Sequence, residues 1–314
     1  MAKRKPVSDP GLGQRFSKRT TQKIINDDGS FNVKRIGSGS FFNDAYHYLL
    51  HLTWGKFTFL VLIFYAAANL LFACLYFLIG VDHLYGANNE STVDEFLSSF
   101  FFSVQTFTTV GYGGISPKGI GASAVAAFEA LFGLMSFAFI TGMLYGRFSK
   151  PTAKIFFSEN ALISPYNDDG RAVMFRIANK RKNELIETSA TVLMMTVDKT
   201  KDGYSRDYTN LELEIDSIKF FPLNWTIVHP IDESSPLYGK GKDYFEDHDV
   251  EFLVLIKAFD DTFSQTVYAR YSYKWDEVVW GAKYLRPFYL DDDGKVVMDL
   301  ADLNNYEKVS LPGQ

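Results

Sequence analysis

Thr108-Thr109-Val110-Gly111-Tyr112-Gly113-Gly114 lies between two long apolar segments of the chain. Glycine alternates here with Val110 and Tyr112, and glycine adopts backbone angles that other L-residues resist. Such a backbone can turn successive carbonyl groups toward one axis, while the side chains of Val110 and Tyr112 point away and pack behind it. A column of carbonyl oxygens replaces the hydration shell of a permeating cation. The Thr109 hydroxyl can add one more ring of oxygens at the inner mouth.

The pattern of residues 109–113 therefore predicts a selectivity filter for K⁺. K⁺ is the permeant ion, and we expect no other metal ion. Four copies are needed to close a ring around an ion. Because the chain carries the run once, we predict a homotetramer. The alternative is a glycine-rich turn beside an apolar segment. The short amphipathic segment before the run and the flanking spans favour the filter.

The bulk composition favours two domains in the 314 residues, a membrane part with few spans and a soluble part. The chain is 47% hydrophobic and 16% aromatic, with a net charge of −5. Residues 1–154 carry more Lys and Arg than acid, and the remainder is acidic. This asymmetry argues against a nucleic-acid partner, which needs a basic face. The single Cys74 excludes an intramolecular disulfide, and the polar N-terminus predicts no cleavable signal peptide.

The N-terminal part divides into a tail and a helix. Residues 1–40 are rich in turn formers and predict a mostly mobile cytoplasmic tail, with a short piece around 31–36 that can pair with the soluble domain. Residues 41–56 predict a helix in the membrane interface, although an ordinary amphipathic helix packed on protein fits equally well. His47 and His51 have the spacing of a metal pair, but no third ligand accompanies them, so we predict no metal site there.

Residues 57–150 predict the transmembrane pore domain. Its spans are 57–81 and 119–148, both long and apolar enough to cross a membrane. Residues 96–107 are apolar but too short to span, and they predict a re-entrant pore helix whose C-terminal dipole faces the cation site. The loop from Asp82 to Glu95 is acidic, whereas both flanks of the pore domain are basic. This bias predicts that both termini are cytoplasmic.

The second span contains three residues of interest. An acid within a membrane is a functional candidate, but Glu129 lies near where the pore helix must pack. We therefore favour a structural partner for filter-supporting groups over a pore-lining ion site. Gly133 and Gly142 are hinge candidates, or positions where helices pack closely.

Residues 151–314 predict a cytoplasmic all-β sandwich of the immunoglobulin type, because short alternating runs are separated by turn signals. Examples of such runs are 171–177, 190–197, 252–256 and 266–271, with turns at 167–170 and 291–294. The chain lacks a nucleotide-binding fingerprint, a Walker loop and a calcium-loop spacing. We expect neither an enzymatic cofactor nor an enzyme, since no nucleophile–base pair is evident.

From about Asn43 to about Met298 the chain resembles the inward-rectifier potassium channels, most closely their prokaryotic branch. The motifs that carry this resemblance are the helix ending at Trp54, the filter segment 103–113, the span exit 138–151, and the strings 176–179, 229–238 and 276–281. The filter alone fits any K⁺ channel. The string His229-Pro230-Ile231-Asp232, followed by Ser235-Pro236-Leu237-Tyr238, is specific to the cytoplasmic domain of this family.

The resemblance implies roles for single residues along the pore. Tyr145 matches the bulky residue that narrows the pore at the helix-bundle gate, and Phe137 matches the cavity position where strong rectifiers carry an acid. Weak rectification is therefore expected, with polyamines or Mg²⁺ as blockers. Glu187 and Asp261 match acids of the cytoplasmic pore, and residues 257–266 match the loop at its apical constriction.

The resemblance also implies a membrane-facing basic cluster of Lys56, Arg147 and Lys150, which meets anionic lipid headgroups and biases gating. Two features depart from the family. The extracellular cysteine pair of eukaryotic members is absent, and Gln105 and Ile115 stand where many relatives place a Glu–Arg pair.

These observations predict a K⁺-selective channel of the inward-rectifier type in a bacterial plasma membrane, gated by its inner helices, its cytoplasmic domain and lipids. Two alternatives remain at this point. One is a membrane-tethered sensor or scaffold with a vestigial pore, and the other is a non-selective cation pore.

Overall fold

The computed structural model describes residues 9–16, 22–34, 36, 41–149, 153–167, 169–181, 183–201 and 203–312. Contacts divide the chain into two units, the pore unit of residues 36–150 and the β unit of residues 1–35 and 151–314. The chain therefore leaves the β unit after residue 35 and returns to it at residue 151.

The described residues of the pore unit form four α-helices, one 3₁₀ helix (Val81–His83) and one small ladder. The α-helices are α1 (Phe41–His51), α2 (Trp54–Ile79), α3 (Thr92–Phe107) and α4 (Gly119–Phe148), and in the ladder β2 (Leu84–Tyr85) is antiparallel to β3 (Ser116–Pro117). Helices α2 and α4 are long and apolar enough to cross a membrane, and most of their surface is exposed in the single chain. Apolar surface of this extent requires lipid or further copies around it.

The helix bounds differ from the predicted ones for local reasons. The predicted interfacial helix 41–56 ends at His51, because Thr53 is extended and acts as the N-cap of α2. Gly80, at φ +98°, ends α2 at Ile79 rather than at 81. The pore helix begins at Thr92 rather than at 96, because the Ser91 hydroxyl accepts a hydrogen bond from the amide of Asp94.

The β unit consists of two principal sheets. The first has the order β1 (Arg15–Phe16), β8 (Gly203–Leu211), β7 (Leu185–Thr200), β11 (Glu251–Asp260) and β12 (Gln265–Lys274), with β9 (Ser217–Phe220) also paired to β7. The second has the order β10 (Asn224–Pro230), β6 (Gly170–Asn179), β5 (Ala161–Tyr166) and β13 (Val278–Trp280), with β4 (Ile155–Phe157) paired to β6. The described residues of this unit also form α5 (Lys242–Asp247), two 3₁₀ helices (Trp275–Glu277 and Ala301–Asn304), and the ladders β14 (Ala282–Tyr284) with β17 (Tyr306–Lys308) and β15 (Phe288–Leu290) with β16 (Val296–Met298).

One hydrophobic core joins the two sheets. Phe175 and Ile177 of β6 pack in the same cluster as Met194 of β7 and Phe252 and Val254 of β11. Met195 and Leu253, on the opposite faces of β7 and β11, are buried as well, so the first sheet is covered on both faces there. The predicted all-β domain is confirmed.

The N-terminal segment forms a second, smaller core on the first sheet. Arg15 and Phe16 pair with β8, and Ile24 and Ile25 are buried against Met195, Val197, Tyr208 and Leu253. The amide of Ile24 donates to Glu251 (2.9 Å), and the Ser272 hydroxyl donates to the carbonyl of Ile25 (3.1 Å). Phe31 pairs with Ile25 in a tight turn instead of pairing with the sheet. The described part of the predicted tail is thus anchored by its few apolar residues.

Candidate ion-conduction site

The filter backbone alternates in handedness. Thr109, Gly111 and Gly113 have φ of +58°, +55° and +80°, while Val110 and Tyr112 between them do not enter the left-handed region. Glycine adopts these angles freely, but threonine does so at a steric cost. An alternation of this kind turns successive carbonyl groups to one side, and a carbonyl ring that coordinates an ion requires that arrangement. Sequence reasoning identified the glycines but missed the left-handed Thr109, because only its place in the alternating pattern signals it.

Helix α3 holds the start of the filter through its last turn. The carbonyl of Gln105 accepts hydrogen bonds from the amides of Val110 (3.0 Å) and Gly111 (3.3 Å). The carbonyl of Thr106 accepts one from the amide of Thr109 (3.0 Å). The otherwise unpaired carbonyls at the helix C-terminus are thereby satisfied, and the filter begins at a fixed point.

Glu129 joins three helices behind the filter. Its carboxylate accepts hydrogen bonds from the hydroxyls of Tyr76 on α2 (2.6 Å) and Ser103 on α3 (2.5 Å). All three side chains are fully buried within the single chain, as is Asn69, whose Oδ1 lies 3.3 Å from Ser103 Oγ. This geometry matches the structural partner that the sequence favoured. Tyr76 was not predicted, since nothing near it in the sequence marks it as a partner of Glu129.

The two hinge candidates of α4, Gly133 and Gly142, differ in their surroundings. A Cβ atom at Gly133 would lie 2.1 Å from the carbonyl oxygen of Phe107, at the end of the pore helix. Among the described residues, no atom lies within 4 Å of a Cβ placed at Gly142. Gly133 therefore permits a close helix approach, and bending at either glycine stays a prediction.

Phe137 and Tyr145 lie on α4 and expose 71% and 74% of their surface in the single chain. Their spacing places them on one helix face. Phe137 borders a hollow of about 540 Å³ between α2 and α4, whose lining also includes Val61, Tyr65 and Thr109. The assignments of Phe137 to the pore cavity and of Tyr145 to the gate stay predictions.

The three residues that we predicted to face lipid headgroups, Lys56, Arg147 and Lys150, differ in their surroundings. Lys56 is exposed, and Lys150 lies outside the described residues. Arg147 donates to the carbonyls of Leu49 and Leu52, both at 2.6 Å. Two of its donors are therefore occupied by protein.

The two predicted pore acids lie at one end of the first sheet. Glu187 is exposed, has a φ of +48°, and lies where the β7–β11 register shifts, while Lys219 Nζ is 4.0 Å away. The exposed Asp261 follows β11, and its amide donates to the carbonyl of Glu184 (3.3 Å). A bulge re-aims a side chain, so Glu187 projects differently from its strand neighbours. In the part of the chain that the structure describes, no three His, Cys, Asp or Glu residues form a metal-binding group.

Comparisons with known proteins indicate the same kind of protein, an ion channel, over most of the chain. Residues 155–314 match a family described as the inward rectifier potassium channel C-terminal domain, and residues 59–150 match one described as an ion channel. The inward rectifier potassium channel Kirbac3.1 of Paramagnetospirillum magnetotacticum is 36% identical over 282 residues, covering 88% of this chain and 93% of that protein.

The G protein-activated inward rectifier potassium channel 3 of Mus musculus is 26% identical over 336 residues, covering 99% of this chain and 84% of that protein. Among solved structures, that of Spo0M from Bacillus subtilis aligns with 41% of this chain and 50% of the Spo0M chain at 11% identity, with a TM-score of 0.21. The chain is a membrane protein and no enzyme, and it belongs to the inward-rectifier potassium channel family of K⁺-selective channels.

Proposed function

We propose that four copies of the chain form one K⁺ pore in a bacterial plasma membrane, with both termini in the cytoplasm. The alternating handedness at Thr109, Gly111 and Gly113 carries this proposal, because it faces carbonyl oxygens to one side. Tetramers are typical of the family, and the exposed apolar faces of α2 and α4 offer surface for neighbouring copies and lipid. The acidic loop between the spans and the basic flanks support the orientation.

The ion path runs from the filter through the cavity at Phe137 to a gate formed by four Tyr145 rings. A ring of bulky side chains blocks a hydrated ion sterically and by dewetting. The uncharged Phe137 offers polyamines and Mg²⁺ no acid to bind, which supports weak rectification. Glu187 and Asp261 raise the local cation concentration at the cytoplasmic entrance, and movement of the β unit biases the gate.

Anionic lipid headgroups are the regulatory partner. Lys56, which is exposed, and Lys150, which follows the second span in the sequence, supply positive charge, and each basic residue near the membrane surface is attracted to an anionic leaflet. Arg147 contributes charge to the same region, although its donors are held by backbone carbonyls.

Rb⁺ uptake into vesicles that contain the purified protein tests the gate. Tyr145→Ala removes the constriction and raises uptake severalfold at equal protein incorporation. Phe139→Ala serves as the matched control, because it removes another largely exposed ring (60%, against 74% for Tyr145) from a different face of α4. Equal uptake by Tyr145→Ala and the wild type would refute the gate.

A further inference from the structure

The two ends of the filter are held differently. At the N-terminal end, the carbonyl of Gln105 accepts hydrogen bonds from the amides of Val110 and Gly111. Within the described chain, the amides of residues 112–114 make no backbone hydrogen bond. Gln105 Oε1 does not accept from them either, because it is buried without a hydrogen-bond partner among the described residues. Glycine loses much conformational freedom when it is fixed, so this glycine-rich end needs a fastening from another part of the chain.

The segment that follows the filter pairs with the loop that precedes the pore helix. Residues 80–91, which we call the α2–α3 loop, connect these two helices. Within the loop, β2 is antiparallel to β3, the strand that follows the filter. Next to this ladder, the amide of Lys118 donates to the carbonyl of His83 (2.7 Å). The chain that leaves the filter is thus tied to the α2–α3 loop over residues 116–118.

Gly86 and Ile115 bring the α2–α3 loop directly against the C-terminal end of the filter. A Cβ at Gly86 would overlap the carbonyl oxygen of Gly114, the residue after the filter. Because the opposing atom belongs to the backbone, this approach requires a glycine at position 86. Ile115 packs against a buried cluster that includes Leu84 of the loop and Phe102 of α3. Backbone and side-chain contacts therefore meet at the two residues that follow the filter.

The α2–α3 loop is itself anchored to the pore helix. The amide of Asn88 donates to the hydroxyl of Ser98 on α3 (3.0 Å), and this hydroxyl donates to the carbonyl of Asn88 (3.3 Å). Ser98 is buried, as is Leu84 within the loop. Helix α3 thus holds the N-terminal end of the filter directly and the C-terminal end through the loop.

We propose that the α2–α3 loop is a clamp that sets the C-terminal end of the filter, with Gly86 and Ile115 as positioning residues for ion selection. This inference deepens the proposed function and rests on it, because a ring of carbonyls selects an ion only while its geometry is held. Gly114 directly follows Gly113, whose φ of +80° belongs to the alternating pattern. Displacement of Gly114 therefore disturbs the last left-handed residue of the filter.

The test compares four variants with the wild type as folded tetramers in vesicles, with Rb⁺ and Na⁺ uptake measured separately. Gly86→Ala drives a Cβ into the carbonyl of Gly114. Gly119→Ala is its matched control, because Gly119 has nearly the same φ (+80° against +77°) and its Cβ would meet only His83 Cδ2, at 4.0 Å. Ile115→Ala removes packing from the cluster, whereas Ile115→Val keeps most of it.

We expect the ratio of Rb⁺ to Na⁺ uptake to fall about tenfold in Gly86→Ala and in Ile115→Ala, since overpacking and lost packing are each large enough for a change of that size. Gly119→Ala and Ile115→Val should keep a ratio close to that of the wild type. Amide hydrogen exchange of residues 112–118 should be about tenfold faster in the same two variants, because the clamp no longer holds this segment.

Equal ratios in Gly86→Ala and Gly119→Ala would overturn the clamp, as would a wild-type ratio in Ile115→Ala. Lower uptake of both ions at an unchanged ratio would assign these residues to assembly and not to ion selection. If the wild type itself takes up no Rb⁺, the proposed channel activity fails, and the role in selection fails with it. The exchange comparison then still shows whether the loop holds the end of the filter. Should Gly86→Ala not assemble, the two Ile115 variants decide.

Discussion

Backbone handedness is the residue property on which ion coordination depends in this pore. Three alternate residues of the filter are left-handed, and two of them are glycine. Thr109 reaches φ +58° without that freedom, at a cost of about 1–2 kcal/mol. Hydrogen bonds from the filter amides to the last turn of α3 hold this conformation.

Gly111→Ala tests this role of handedness directly. Within the single chain the new side chain meets no described atom within 4 Å, and the φ of +55° costs an alanine about 1–2 kcal/mol in each subunit. We expect loss of Rb⁺ uptake by folded tetramers. Gly114→Ala is the matched control, because Gly114 has no positive φ and equally open surroundings. Equal loss in both variants would contradict the account.

Glu129 is expected to act through its two hydrogen bonds. Glu129→Ala leaves the hydroxyl of Tyr76 buried without an acceptor, at a cost of about 1–3 kcal/mol. The Ser103 hydroxyl, in contrast, keeps the carbonyl oxygen of Asn69 as an acceptor (3.1 Å). Glu129→Gln keeps an acceptor for Tyr76 and supplies a donor to Ser103. The thermal stability of the tetramer should fall strongly in the alanine variant and little in the glutamine variant. A similar fall in both would assign a different role to the carboxylate.

Some of the residues of the candidate site could be predicted from the sequence. The alternating glycines and the buried acid are local signals. Tyr76, in contrast, meets Glu129 across 53 positions, and only the packing of α2 on α4 brings the two together. Arg147 was interpreted from its charge, whereas its contacts depend on where α1 ends.

At the scale of the elements, the pore helix and α4 approach each other at one glycine. A Cβ at Gly133 would lie 2.1 Å from a backbone oxygen, which cannot move as the end of a flexible side chain can. Gly133→Ala should therefore lower tetramer stability by about 1–3 kcal/mol per subunit and disturb the filter.

Gly142→Ala is the control for this substitution within the same helix. Its Cβ meets no described atom within 4 Å, and alanine raises helix propensity by about 1 kcal/mol. We expect intact or higher stability, measured by thermal unfolding of the tetramer. If Gly142 is a hinge, uptake alone changes. A stable Gly133→Ala tetramer would contradict the close approach.

Lys23 ties the N-terminal segment to the part of the β unit that follows the pore unit in sequence. Its ammonium donates to Glu277 (2.6 Å) and Asp27 (2.9 Å). Burial lowers the pKa of Lys23, but these hydrogen bonds outweigh it, so the pKa is raised above its ordinary value of 10.5. A raised lysine pKa gives stability that is fully present below pH 10.5 and is lost as pH rises through the folded value.

Lys23→Met should weaken docking of residues 22–34 by about 0.5–1 kcal/mol, to the same extent at pH 6 and at pH 9. Protease cleavage within this segment measures the change. Lys201→Met replaces an exposed lysine of the same unit and serves as the control. A loss of docking confined to one of the two pH values would contradict the assignment to Lys23.

The elements themselves were largely predictable, since hydrophobic length marks the spans and alternation marks the strands. The docking of the N-terminal segment was not. Its anchors, Ile24 and Ile25, lie in a stretch whose average composition is that of a tail. Two buried isoleucines outweigh that average once a sheet face is available to cover.

On the scale of the whole molecule, a single chain cannot complete the site. It supplies one filter strand, one Phe137 and one Tyr145, and its spanning helices remain mostly exposed. Closure of the ring, burial of these helices and selection of K⁺ are therefore one property of the assembled tetramer. We predicted four copies because each chain carries the filter once. The residues that form contacts between copies could not be predicted, because no motif in the sequence marks them.

The reversal potential of the current through the purified protein, with K⁺ on one side of a planar bilayer and Na⁺ on the other, tests the filter most directly. The account predicts a potential close to that of a membrane permeable to K⁺ alone, and a current that Ba²⁺ abolishes. A potential near zero would show that Na⁺ passes as easily as K⁺. In that case the left-handed residues at 109, 111 and 113 would not form a selective ring.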